Sequence, residues 1–351
     1  MSLVAVVKVG LFLCLIGVTG GCATLSWYGQ AVGGQVDLLS RREHIADLLA
    51  DPSTDPELAR RLENVLAIRR FAASELGLPE SRSYRHYADL ERSAAVWNVI
   101  ATERYAVEPR TWCYPVAGCV AYRGFFKEQG ARDEAARLAE RGLDVIVAPA
   151  VAYSTLGWFD DPVLNTMLVW DEARLAGFLF HELTHELLYV PDETAFNEGY
   201  ATAVERFGVE RWLTEQDQET ELVHWQSSEA LQADWVELLL AARAELADAY
   251  AELEEESELA RFKQGVFDQL RDELMALAEA EDSVWLRRWA QRPLNNADLA
   301  LVATYEKAVP AFQALLHACQ DDPICFHREV AELADQSAAD RAEFLRSSAA
   351  E

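Results

Sequence analysis

The segment HELTHELLYVPDETAFNEGY, residues 181–200, sets His181 and His185 four residues apart, with Glu182 directly after the first. On a helix, side chains four apart share a face about one turn from each other, so both imidazoles can reach a single ion. Glu182 stands one step round and can address the ion's open coordination position. That is zinc-hydrolase chemistry: two imidazole ligands, and a carboxylate placed to take a proton from water. A catalytic zinc ordinarily has three protein ligands, so a third must come from another turn of the chain.

The flanking residues say how the third arrives. Asp171 is a good N-cap, Glu172 suits the positive end of a helix, and Pro191 stops it. Asp192 is placed to cap a second helix beginning near Glu193, and Glu198 lies about five residues into that helix. Five residues up and five back, at about 1.5 Å each, return Glu198 to the level of His185 if the two helices form a hairpin. Glu198 is thus the expected third ligand, for one Zn2+ per chain. Glu186 points off the ligand face and Glu193 falls in the turn.

Hydrolysis of a carbonyl substrate at such a site also needs a donor for the developing oxyanion. Tyr153 is the candidate, because Val151 to Phe159 reads as an edge strand just before the metal helix, able to pair with an extended peptide. Tyr200 and Tyr305 compete less well for that role. Asp160 and Asp161 could receive a substrate amine, although acids before a proline often only hold a turn. His44, His86 and His224 show no partner pattern.

FNEGYATAVE, residues 196–205, resembles the NEGFA-type segment of gluzincin aminopeptidases, whose glutamate is a zinc ligand. That resemblance brings in Glu205, seven residues and two turns after Glu198, which would hold a ligand histidine by its other ring nitrogen. With only twelve residues between His185 and Glu198, the joined motif is similar to that of a family of bacterial aminopeptidases with lipoprotein leaders. The likeness extends through SYRHYADLERSAAVWNV, TWCYPVAGCVAYRGFF, AYSTLGWFDDPVL and LNNADLALVATYEKAVPAF. It implies a zinc peptidase acting on peptides, of α+β and predominantly helical class. The implied architecture is a zincin-like metallopeptidase with a small sheet and an HExxH helix, followed by a helical C-terminal part. No GAMEN-type segment for the substrate's amino terminus is present, so the residues themselves leave aminopeptidase and endopeptidase both open.

The N-terminus points to export. MSLVAVVKVGLFLCLIGVTGGC has Lys8, an apolar run from Val9 to Val18 too short for a permanent span, and small residues before Cys22. It resembles the lipobox of bacterial lipoproteins, which would make Cys22 a lipid anchor on an outer-membrane protein facing the periplasm. An ordinary cleaved leader with an incidental cysteine is the alternative. Four further cysteines form two equally spaced pairs, Cys113 with Cys119 and Cys319 with Cys325, and allow three connectivities. Local disulfides are the simplest in an oxidising compartment. His317 and His327, outside the second pair, leave a Cys/His metal knuckle as the rival.

The 351 residues are 51% hydrophobic and 26% charged, a globular composition, with a formal net charge of −28. Such acidity argues against nucleic acid as a partner, since phosphate binding needs a basic face. Helical periodicity runs through DLLSRREHIADLLADP and DPELARRLENVLAIRRFAASELG, a strand begins at Val96, and EQGARDEAARLAERGL is a short helix closed by Gly142. DVIVAPAVAYSTLGWF reads as one or two strands. Residues 1–22 are then the leader, 23–214 the catalytic region, and 215–351 an acidic helical region packing on it. A lipoprotein without catalysis, holding a structural metal or none, is the competing reading of the same residues.

Overall fold

Helix starts follow their caps. Asp55 accepts hydrogen bonds from the Glu57 and Leu58 N–H groups at 3.0 Å each, with Pro56 in the first turn, where a missing N–H costs nothing. Asn295 and Asp298 form a reciprocal capping box, and Asp322 caps a helix opened by Pro323. A computed structural model describes residues 27–114, 118–152, 154–155, 159–300 and 308–347. The leader with Cys22, and the tyrosines Tyr153 and Tyr305, lie outside the described residues.

The fold is α+β and mostly helical, with small sheets. In chain order it runs α1 (27–40), β1 (Arg42–His44), α2 (Ile45–Ala50), α3 (Pro56–Glu75), β2 (His86–Ala88), β3 (Val96–Thr102), β4 (Trp112–Tyr114), β5 (Gly118–Val120), β6 (Arg123–Phe125), α4 (Glu128–Ala139), β7 (Asp144–Ala150) and β8 (Val163–Leu164). There follow α5 (Glu172–Leu187), α6 (Thr194–Glu215), α7 (Glu219–Glu252), α8 (Glu256–Ala280), α9 (Val284–Ala290), α10 (Asn296–Leu299), α11 (Val309–Ala318), α12 (Pro323–Ala334) and α13 (Ala338–Ser347).

Strands β1, β2 and β8 form one sheet, and β6, β3 and β7 form an antiparallel second, with Trp97 opposite Phe125 and Val99 opposite Val147. Strand β3 is apolar almost throughout because both its faces are covered. Helix α4 packs Ala131 and Leu138 on one side, and Ala297 and Ala300 meet Ile100 on the other. The β4–β5 hairpin sets Cys113 directly opposite Cys119, and the two are disulfide-bonded.

The largest core lies where α3, α5, α6, α11 and α12 meet, with Phe71, Phe180, Phe196, Tyr200, Trp212, Phe312 and Phe326 inside it. A second core, of Leu239, Leu246, Phe267, Leu270 and Leu274, zips α7 to α8 and takes no residue from α5 or α6. No helix among the described residues is long and apolar enough to cross a membrane.

Four expectations change. The periodic run through DLLSRREHIADLLADP is broken at Arg42–His44, which pair with Ala88–His86; sheet pairing overrides a local helical pattern there. The strand expected over Val151 to Phe159 is not borne out at its described residues: β7 ends at Ala150, and the Thr155 N–H donates to the Asp161 carboxylate at 2.7 Å rather than to a neighbouring strand. Asp192 does not cap α6; it takes a left-handed backbone (φ 64°) and Glu193 stands at the N-cap. The Cys/His knuckle is also excluded: Cys319 and Cys325 are disulfide-bonded, and His327 is spent on the Tyr200 hydroxyl (2.6 Å) and the Leu76 carbonyl (2.7 Å).

Candidate metal centre

Helix α5 is built to be buried. Asp171 accepts from the Arg174 N–H at 2.8 Å, and Glu172 in the first turn takes the Trp212 indole N–H at 3.0 Å. Leu175, Ala176, Leu179, Phe180 and Leu183 then fill the core and leave His181 and His185 on the face toward α6. Two glycines let that face close. A Cβ on Gly177 would lie 3.1 Å from a Glu205 carboxylate oxygen, and one on Gly208 would lie 2.7 Å from the Phe180 ring. Close approach of the helices is thus what lets the α6 carboxylates reach the α5 imidazoles.

The connection is tied by one side chain. Asn197, fully buried, accepts from the Val190 N–H at 2.8 Å and donates to the Val190 carbonyl at 2.7 Å. Both amide groups are used on one residue of the turn, and the neighbouring Glu198 comes back level with His185, as the hairpin arithmetic requires.

The sequence-derived residues converge. His181 Nε2 and His185 Nε2 are 3.1 Å apart, and the Glu198 carboxylate lies 3.3 Å from the first and 3.7 Å from the second. Donor atoms held tetrahedrally at about 2.0–2.1 Å from one zinc ion lie about 3.3 Å from each other. The three donors therefore fit the shell of a single ion, and they are the one such group of three among the described residues. Glu205 stands behind them, with its carboxylate 3.0 Å from His181 Nδ1. An Nδ1–H donating to Glu205 leaves the Nε2 lone pair free for an ion. His185 Nδ1 is buried and has no such partner among the described residues.

Electrostatics favour a cation. Burial opposes charge on His181, but hydrogen bonds to Glu198 and Glu205 outweigh it and raise its pKa to about 10. Burial, and His181 beside it, push His185 down to about 4. Burial alone would raise Glu198, yet the His181 hydrogen bond holds it below the ordinary carboxylate range. Glu182 behaves differently. Burial holds it above the ordinary range, while His181 and the Ser154 hydroxyl, which hydrogen-bonds to it, pull it back. A desolvated carboxylate that binds no neighbouring cation tightly is a competent proton acceptor.

Other residues fall out of the centre or into it. The Tyr200 hydroxyl is buried against His327 and is structural. Asp160 pairs with Arg82 at 3.2 Å, and the Asp161 carboxylate accepts from the Thr155 N–H. Glu193 accepts from Arg341 at 2.8 Å. Sequence reasoning missed Ser154, Asn197 and Tyr122. Tyr122 is 40% exposed, and its hydroxyl is raised by desolvation and by the nearby charges of Glu198 and Glu182. It also missed that His44 and His86 face each other across β1 and β2, Nε2 to Nε2 at 3.2 Å. Only Asn197 carried a signal, as an amide one residue before the candidate third ligand, in the first turn of the helix that must close the hairpin.

No curated protein and no solved structure matches the chain. A family model described as "Putative aminopeptidase" matches residues 26–345, a span that takes in the candidate metal ligands and every helix from α5 to α12, and the chain belongs to that family.

Proposed function

We propose that the protein is a zinc-dependent peptidase of zincin-like architecture, in which His181, His185 and Glu198 hold one Zn2+ and Glu182 is the general base. The observation that carries this reading is the mutual spacing of the three donors, 3.1, 3.3 and 3.7 Å, with the Glu182 carboxylate standing outside that group of three. Zinc bound there supplies Lewis acidity, lowering the pKa of water and polarising a carbonyl.

The chain's own residues do the rest. Glu182 takes the proton of the attacking water on its carboxylate and returns it to the leaving amine, its orientation fixed by the Ser154 hydroxyl. Glu205 fixes the ring of His181 and its tautomer. A tyrosine hydroxyl donates to the developing oxyanion: Tyr153 by its place in sequence, or Tyr122 by its nearness to Glu182 and Glu198. Family membership supports attack at the free amino end of a peptide. On the leader pattern, Cys22 is lipidated and the protein faces the periplasm from the outer membrane. Mass spectrometry of the N-terminal peptide tests that placement, and an unlipidated mature terminus rejects it.

The deciding measurement is zinc per chain in the full-length protein in detergent. One zinc is expected, lost in His185→Ala and in Glu198→Ala. Glu182→Gln is expected to keep the zinc and the fold and lose roughly 10²–10⁴-fold in peptide hydrolysis. Acetylating the substrate's amino terminus separates exopeptidase from endopeptidase action. A well-folded protein without zinc, or an active Glu182→Gln, rejects the proposal.

A further inference from the structure

A second place in the molecule gathers charge of the opposite kind. Between α2, α3 and the segment that follows Glu80 lies a cavity of about 390 Å³ whose lining includes Arg69, Arg70, Arg85, His44 and a single carboxylate, Glu80. The Arg69 Nη2 and the Arg85 Nε donate to the same oxygen, the Ser81 carbonyl, at 2.7 and 3.2 Å. One carbonyl therefore holds two guanidinium groups side by side. Among the described residues neither has a carboxylate within ion-pair distance, and Arg70 has no hydrogen bond or ion pair at all. The Nε of Arg69 is buried with no acceptor.

Acids outnumber bases 59 to 31, and many arginines, such as Arg60, Arg132 and Arg137, lie against a carboxylate on the same helix; here three gather around one cavity without such a partner among the described residues. Burial and the neighbouring Arg85 hold Arg69 below its ordinary range despite the charges of Glu186 and Glu80. Cations packed in this way, with N–H donors left over, are complementary to an anion with several oxygens. Three guanidinium charges less one carboxylate leave two, the charge of a phosphate dianion. The cavity has room for the group attached to it.

We infer that this cavity binds a phosphate-bearing ligand, whose oxygens accept hydrogen bonds from Arg69, Arg70 and Arg85. The ligand is held by paired forks rather than by a metal, so the site stands independently of the zinc centre. Two sources share this chemistry: a soluble phosphate and the phosphodiester of a lipid headgroup.

The test is thermal denaturation of the full-length chain in detergent, with chloride replaced by inorganic phosphate at constant ionic strength. A saturable rise in Tm is expected, and it should persist in Glu198→Ala, which keeps the result separate from any phosphate bound at the zinc centre. Arg70→Gln, on an exposed side chain with no partner to lose, is expected to raise the midpoint concentration about tenfold. Arg69→Gln combined with Arg85→Gln is expected to abolish saturation; should that double variant fail to fold, Arg70→Gln decides alone. Repeating the titration with glycerophosphoethanolamine assigns the source. Tighter binding of that diester means a lipid headgroup, and tighter binding of free phosphate means a soluble ligand. No saturable rise with either probe, or a midpoint unmoved in Arg70→Gln, overturns the inference.

Discussion

Helices α5 and α6 and helices α7 and α8 each form a pair joined by a short turn, but the residues at the two seams have little in common. Between α7 and α8 the buried contacts are Leu239, Ala242 and Leu246 against Val266, Phe267, Leu270 and Leu274, all apolar, with acids turned outward. Between α5 and α6 two glycines bring the backbones close, and the space holds His181, His185, Asn197, Glu198 and Glu205. The first seam is non-directional and tolerates side chains of about the right volume. The second holds only while each polar group has its partner, because an unpaired buried group costs far more than a pair gains. One seam is for stability; the other has the marks of a site.

The sharpest way to break this contrast is at Asn197. Asn197→Ala removes both hydrogen bonds to Val190, strands that residue's N–H and carbonyl, and frees the turn that sets the height of Glu198. A loss of about 2–3 kcal/mol in unfolding free energy is expected, together with weaker zinc retention. Chemical denaturation and metal analysis of the same samples check both. If stability falls and zinc stays, the hairpin is held by its apolar contacts alone and Asn197 positions nothing.

Much of this centre could be read from the sequence, for a specific reason. His181, Glu182, His185 and Glu198 depend on local geometry, a 3.6-residue repeat and one tight turn, and local geometry is written in nearby residues. The caps Asp171 and Asp55 and the closure of α4 near Gly142 belong to the same class. What escaped depends on distant chain. Ser154 reaches Glu182 from a loop that looked like strand until Asp161 folded back on Thr155. His44 meets His86 only because β1 interrupts a helical pattern to join a sheet. Arg69 on α3 meets Arg85 only because the chain after α3 turns back to offer both the Ser81 carbonyl, a bend that no periodicity announces. The C-terminal helices α11 and α12 pack against α6, which no periodicity announces.

A smaller change tests whether Glu205 belongs to the site or is one more acid. Glu205→Gln keeps the size and the capacity to accept from His181 but removes the charge. Carboxylates behind metal-bound histidines raise ligand basicity, so about a tenfold loss of zinc affinity is expected in competition with a chelator. Unfolding free energy should change little. An unchanged affinity would place Glu205 with the solvent-facing glutamates of α7, and the contrast between the two seams would narrow to His181, His185, Asn197 and Glu198.

The smallest expected effect is at Glu237, and its smallness is informative. Glu237 lies exposed on α7, with no hydrogen bond or ion pair among the described residues. Glu237→Gln removes the same charge as Glu205→Gln by the same chemistry, in the hairpin whose seam is apolar. At physiological salt, charges separated by more than about 8 Å through solvent are largely screened. The expected change in unfolding free energy is therefore within about 0.5 kcal/mol, with no change in zinc affinity. Denaturation and chelator competition, run beside Glu205→Gln, give the difference directly. If Glu237→Gln shifts zinc affinity as far as Glu205→Gln does, what holds the ion is the acidity of the whole chain rather than a carboxylate seated 3.0 Å from His181. If it does not, then one negative charge among 59 acts because of where two glycines let a helix come to rest.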